Sequence, residues 1–284
     1  MTSVSHSSSP PTRGHVSIRN VGKIYDPGGA HVVAVENCSL EFTPGEFVAV
    51  VGPSGCGKST LLNIIAGFDK PTSGEVYLDG VPLASATLAP QPGPDRVVVF
   101  QQGTLFPWKT VLENVTYGLL KQRKTGARAA QEQAMHLLAR SGGLDKVASS
   151  YPGALSSGMQ RRVEILRALI NDPHILLLDE PFRAMDTVSK TNMHQHLLDL
   201  FMSNPKTIMF ITHDLEEALF LADRVLVMTT RPGTISMNIV VDLPRPRTRA
   251  MKSSAEFIRL KSIAIAAVHE EARKAFECGE KEMA

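Results

Sequence analysis

Gly52-Pro53-Ser54-Gly55-Cys56-Gly57-Lys58-Ser59-Thr60 is the stretch that decides the fold. It satisfies G-x-x-x-x-G-K-[ST] and lies between a short apolar run, Glu46 to Val51, and a segment of helical spacing, Lys58 to Ala66, with Gly67 placed as its stop. Strand, glycine-rich loop and helix is the context the pattern requires. Glycines let the backbone curl so that successive N–H groups converge on phosphate oxygens, and the helix start adds a favourable dipole. Lys58 is placed to neutralise the β and γ phosphates of a nucleotide, and Ser59 to ligate Mg2+. Cys56 is a loop residue whose side chain has no duty. A dinucleotide-binding loop is set aside, because Thr60 stands where a third small, glycine-like residue is wanted.

Outward from this loop, Val16 to Phe42 is rich in β-branched residues around a Gly28-Gly29 turn, and Glu75 to Leu78 and Val81 to Leu83 flank Asp79-Gly80, a hairpin signal. Val97 to Phe100 reads as a buried strand. Between about Gln101 and Gly158 strand patterns disappear, and Arg128 to Arg140 predicts a helix with Ala130, Ala134 and Leu137 on one face. Ile175 to Leu178, Thr207 to Ile211 and Arg224 to Met228 then alternate with helical stretches, as parallel α/β units do. The aliphatic run at 175–178 ends in Asp179-Glu180. Its end lies near the phosphate loop if the two strands are neighbours, with Asp179 holding Mg2+ and Glu180, on the opposite side by strand alternation, facing a nucleophilic water as general base.

Composition narrows the classes. Thirty Lys+Arg against 28 Asp+Glu leave a formal charge of +2, which gives nucleic acid no footing as main ligand. No run of about 18 apolar residues is present, so nothing here spans a bilayer alone. Cys38, Cys56 and Cys278 lie far apart without a C-x-x-C pair, which argues against a zinc site or disulfide framework and fits a reducing cytosol. Residues 1–15, rich in Ser and Pro without an apolar core, read as a disordered tail. Residues 248–284 read as an amphipathic tail helix, with Phe257, Leu260, Ala264 and Val268 at helical spacing and packing onto its own domain the simpler use. His194 and His196, two apart on a helix, read as solvated, and Arg161 and Arg162 first as a solvated helix start.

With these residues in place, the chain resembles the nucleotide-binding subunits of ABC transporters from about Val16 to Arg247. Leu155-Ser156-Ser157-Gly158-Met159-Gln160 resembles that family's signature, LSGGQ or its LSGGM form. Val99-Phe100-Gln101 resembles the Q-loop, Arg183-Ala184-Met185-Asp186 the D-loop, and Thr212-His213-Asp214 the switch histidine segment. Alone, Gln101 and His213 would each be ordinary polar residues after a strand and Tyr25 an ordinary packing residue; their order and placement reverse that reading.

The resemblance implies a P-loop NTPase fold of the ABC ATPase type: a RecA-like parallel-sheet core, an N-terminal antiparallel β subdomain and an inserted α-helical subdomain at about 101–160. It implies ATP and Mg2+ as ligands, nucleotide contacts from Tyr25, the loop 52–60, Gln101, Ser156 and Gly158, metal contacts from Ser59, Gln101 and Asp179, and catalysis by Lys58, Glu180 and His213. It implies an ATP-sandwiched dimer of two copies, a multi-spanning permease that holds the subunit at the cytoplasmic face of the inner membrane, and, indirectly, an extracytoplasmic solute-binding protein. Leu105-Phe106-Pro107-Trp108 with Gly93 to Arg96 and Arg231-Pro232-Gly233 looks like the nitrate, sulfonate and taurine importers. Two departures stand out: Ser157 replaces a signature glycine, where its hydroxyl can cap the helix, and Arg183 replaces a small D-loop residue. They motivate an alternative, a regulatory or weakly active module. DNA-acting and translation-factor relatives are disfavoured, since the chain has neither a long coiled-coil insert nor a second cassette.

Overall fold

The computed structural model describes residues 12–277 apart from positions 30, 124, 184 and 231. The first eleven residues of the expected tail, and the chain beyond 277 with Cys278, lie outside the described residues.

β3 (Phe47–Val51), which leads into the phosphate loop, is buried on both faces. Phe47, Ala49 and Val51 serve one core and Val48 and Val50 the other. β7 (Ile175–Asp179), β8 (Thr207–Ile211) and β9 (Arg224–Met228) divide their side chains in the same way. Strands covered on both faces need unbroken apolar runs, which is why these segments do not alternate in sequence. Each large aliphatic buried here contributes about 1.5–3 kcal/mol. With β6 (Arg96–Val99) and β10 (Ile235–Val240) the sheet order is β10-β9-β3-β8-β7-β6, parallel except for the antiparallel edge pair β10 and β9.

A second sheet, antiparallel throughout, has the order β2-β1-β4-β5 from β1 (Val16–Tyr25), β2 (Val32–Phe42), β4 (Ser73–Leu78) and β5 (Val81–Ser85). Asp79 and Gly80 both take positive φ, 52° and 77°, in the tight turn their sequence predicts. α1 (Lys58–Ala66) joins the two sheets, with Leu61, Leu62, Ile64 and Ile65 buried in their shared core.

α2 (Val111–Gln122), α3 (Ala127–Arg140) and α4 (Ser157–Leu169) form a core of their own around Val111, Val115, Ala134, Leu138, Val163 and Leu166. On α3 it is Leu138 rather than Leu137 that is fully buried. α5 (Thr187–Ser203) and α6 (Leu215–Leu221) cover the remaining sheet face, and α7 (Ala255–Glu277) packs Phe257, Leu260 and Ala264 into the same core. Among the described residues no helix is long and apolar enough to cross a membrane.

Candidate nucleotide site

The loop 52–60 follows β3, Thr212 to Asp214 follow β8, Asp179 and Glu180 close β7, and Gln101 follows β6. Because these strands are parallel and adjacent in the order β3-β8-β7-β6, all four segments emerge at one edge of the sheet. β3 and β7 are not neighbours, contrary to the condition set from sequence. β8 separates them and carries His213 into the gap, and Asp179 still hydrogen-bonds the Ser59 side chain.

The loop is held in shape before any ligand is considered. Gly57 has φ of 95°, and a Cβ there would sit 2.6 Å from the Ala34 carbonyl, so the position needs glycine. Lys58 Nζ donates to the carbonyls of Gly52 and Pro53, each at 2.8 Å. Cys56 corrects the sequence reading: its side chain is buried beneath the loop, and burial pushes the thiol up against the opposing effect of Lys58. A further brace was not legible. Gly233 donates to the Ala34 carbonyl at 3.1 Å and accepts from the Glu36 amide at 3.0 Å, and a Cβ there would lie 2.1 Å from the Cys56 carbonyl. Its only signal in sequence was a Pro-Gly pair.

Asp179 and Ser59 supply two hard oxygen donors side by side next to Lys58, the donor type Mg2+ prefers alongside phosphate oxygens. Burial raises the Asp179 carboxyl, opposed by the Ser59 hydrogen bond, reinforced by Glu180 and opposed again by Lys58. A carboxylate and a hydroxyl beside a lysine fit a cation shared with phosphate, and among the described residues no cluster of three or more His, Cys, Asp or Glu could hold a metal ion.

Glu180 leaves the strand with φ of 42°, so its direction is set by a left-handed backbone and not by strand alternation as expected. Its amide donates to the Ile211 carbonyl at 3.0 Å. Its Oε2 lies 3.5 Å from His213 Nδ1 and 3.1 Å from Arg183 Nη1. Tyr25 stands beside the loop, its hydroxyl donating to Asp69 at 2.8 Å and lying 3.4 Å from Thr60 Oγ1. Burial is the main cause that raises its phenol.

Ser156 and Gly158 lie at the start of α4, where they line a cleft of about 420 Å3 with Ser189, Arg162 and Arg249 and not with the phosphate loop. The helix cap is Ser156, whose hydroxyl accepts from the Met159 amide at 3.3 Å, and Ser157 is the first helical residue. Arg161 is not solvated. It is buried, pairs with Glu164 at 2.6 Å and donates to the carbonyls of Phe100 at 2.8 Å and Gln101 at 2.7 Å. α4 thereby grips the backbone of the loop at Gln101, whose side chain is exposed. Charged residues at a helix start read as solvent-facing because nothing local shows the carbonyls they meet.

Trp108 is 71% exposed, its ring tilted by 37° against Phe106 with centroids 5.7 Å apart. Phe106 in turn lies 4.8 Å from Tyr117. The segment is fixed by buried Asn114, whose amide nitrogen donates to the carbonyls of Phe106, Lys109 and Thr110 while its oxygen accepts from the Phe106 amide. Next to it, Val97, Phe100, Phe106, Tyr117 and Arg167 line a cleft of about 370 Å3.

Fold and loop together define a P-loop ATPase. Residues 35–183 match the ABC transporter family model. The chain is 45% identical to an uncharacterized ABC transporter ATP-binding protein of Methanocaldococcus jannaschii, over 86% of this chain and 87% of that one. It is 41% identical to the nitrate import ATP-binding protein NrtD of Synechococcus elongatus, over 86% and 88%. The ATP-binding cassette MJ0796, solved as a dimer in a post-hydrolysis state with ADP and Pi, superimposes with a TM-score of 0.69 at 34% identity, covering 81% of this chain and all of that one. The chain belongs to the ABC transporter family, as an ATP-binding, ATP-hydrolysing cassette.

Proposed function

We propose that the chain powers an importer of a small anionic or zwitterionic solute such as nitrate, an alkanesulfonate or taurine, and that it works as a pair with ATP between the two copies. The observation that carries the catalytic part is the Glu180 carboxylate 3.5 Å from His213, at the strand edge that also holds Lys58 and Asp179. Loop amides of residues 52–60 and Lys58 bind the phosphates, and Tyr25 packs against the adenine. Ser59, Asp179 and Gln101 would hold Mg2+, which neutralises charge on the transferred phosphoryl group. Glu180 orients and deprotonates the attacking water, and His213 stabilises the γ-phosphate end of the nucleotide. Ser156 and Gly158 face a different cleft of their own chain, which supports their use on ATP held by a second copy.

The same reading takes 16–247 as the cassette, about 101–160 as its helical subdomain, 1–15 as a tail and 248–284 as an appended helix. The surface of exposed Trp108 and half-buried Phe106 is the seat of the permease, which keeps the subunit at the cytoplasmic face of the inner membrane; the solute reaches that permease from an extracytoplasmic binding protein. The nitrate import proteins among the relatives support the choice of solute class. A second reading, a weakly active regulatory module, draws on Arg183 occupying the Glu180 oxygen. ATP hydrolysis by the purified subunit, compared with Glu180→Gln, decides between them: equal rates would sink the enzyme reading. Uptake of labelled nitrate, taurine and an alkanesulfonate by the reconstituted transporter tests the solute.

A further inference from the structure

His194, expected to be solvated, is 4% exposed, and it is not a packing residue alone. Its Nε2 lies 2.6 Å from Glu217 Oε1 on α6. The other oxygen of Glu217 accepts from the Thr212 hydroxyl, and Thr212 Oγ1 accepts in turn from the Asp214 amide at 3.1 Å. The relay therefore grips the residue before His213 and the residue after it. Lys190, one turn earlier on α5, reaches the same place: its Nζ lies 3.1 Å from Asp214 and 3.8 Å from Glu217. Asp214 closes the arrangement by accepting from the amides of Glu216 and Glu217.

The His194 ring sits 5.5 Å from Phe182 and 6.2 Å from Phe220, and its Nδ1 is buried with no hydrogen-bond partner among the described residues. The ring thus acts as a single donor aimed at Glu217. An acceptor-rich buried carboxylate that loses such a donor keeps its desolvation cost, so the bond fixes the rotamer of Glu217 and through it the Thr212 hydroxyl.

We propose that His194 is a positioning residue for His213: α5, which follows the loop of Phe182 and Arg183 and is capped by Asp186, sets the place of His213 through His194, Glu217 and Thr212. This rests on the role given to His213 above. The consequence is a link between the loop that leads into α5 and the group beside Glu180, carried by hydrogen bonds across 23 residues of sequence.

Steady-state ATPase measurements on the purified full chain test this, with nucleotide affinity and thermal unfolding measured alongside. His194→Leu, which removes the donor, is expected to lower kcat about tenfold while ATP affinity stays within about twofold. His194→Gln, whose amide can donate to the same oxygen, is expected to restore kcat to within about threefold of the unaltered protein. The proposal is overturned if His194→Leu keeps kcat within twofold, if His194→Gln is as impaired as His194→Leu, or if the loss appears in ATP affinity instead of kcat. If His194→Leu does not fold, Thr212→Ala against Thr212→Ser reads the same relay: serine is expected to retain kcat and alanine to lose it, and equal rates overturn the proposal. His213→Ala separates the two levels. Full activity in that variant removes the role of His213 itself, whereas an inactive His213→Ala beside a fully active His194→Leu removes only the relay.

Discussion

Glu180 Oε2 stands 3.5 Å from His213 Nδ1, and Arg183 shares that same oxygen at 3.1 Å. A carboxylate proposed to take a proton from water is thus partly occupied by a guanidinium on its own loop. The Arg183 side chain is 57% exposed, so the pair is worth at most about 1 kcal/mol. Arg183→Ala should therefore raise kcat, by no more than about fivefold, because the oxygen is released to water. Glu180→Gln should lower kcat at least about 100-fold with ATP binding retained. Phosphate release under single-turnover conditions measures both. A drop in rate for Arg183→Ala would mean that the arginine assists the reaction.

Gly233 makes its closest approach to the phosphate loop at a point where no side chain fits. A methyl group would meet the Cys56 carbonyl at 2.1 Å and the Ala34 carbonyl at 2.8 Å, both backbone atoms that cannot rotate away. Gly233→Ala should therefore displace the loop, costing about 1–3 kcal/mol of stability and weakening nucleotide binding at least about tenfold. Gly80, where nothing lies within 4 Å of an added Cβ but φ is 77°, provides a control that tests strain without crowding. Gly80→Ala should lower the melting temperature slightly and leave nucleotide affinity unchanged.

The sequence made the strand edge legible because each element there obeys a local rule. A loop pattern needs glycine at Gly57, and doubly covered strands need runs such as Ile175 to Leu178. What stayed hidden depends on partners far along the chain. Arg161 meets carbonyls 60 and 61 residues away, and His194 meets a carboxylate 23 residues away. Neither distance leaves a period or a motif. Glu180 shows a third limit: its direction follows from one positive φ, which no alternation of strand residues contains.

Asp214 and Lys190 make the start of α6 sensitive to pH at both ends. Burial pushes the Asp214 carboxyl up, but the Glu217 amide and the Lys190 ammonium outweigh it and hold it below its ordinary value. Stability from that group is present above about pH 4, the value of the unfolded chain, and is lost as pH falls through the lower folded value. Burial pushes the Lys190 ammonium down, but Glu217 and Asp214 outweigh it and raise it. Its contribution is complete below about pH 10.4 and is lost as pH rises through the higher folded value. Melting temperature against pH should show Asp214→Asn flattening the acid limb and Lys190→Met the alkaline limb. Unchanged limbs would mean that other groups carry the dependence.

Trp108 offers the most direct reading of the proposed docking surface, because it is the only tryptophan and is 71% exposed. An indole in water emits at long wavelength, and burial against apolar helices moves the emission to the blue. Trp108 lies outside the nucleotide site, and the turn that holds it is fixed independently by Asn114 and by the reciprocal cap between Thr110 and Glu113. Trp108→Ala should accordingly leave both the melting temperature and the ATPase rate of the isolated subunit unchanged, yet weaken association with the permease by at least about 30-fold, as loss of an aromatic anchor does. Asn114→Ala should act differently: it removes four side-chain hydrogen bonds at once, although the Phe106 and Thr110 carbonyls keep the backbone amides of Lys109 and Asn114, so it should lower stability by about 1–3 kcal/mol and shift the Trp108 emission in the isolated chain. If Trp108→Ala binds the permease as tightly as the unaltered chain, the partner sits elsewhere, and the cleft between Val97 and Tyr117 becomes the next surface to alter.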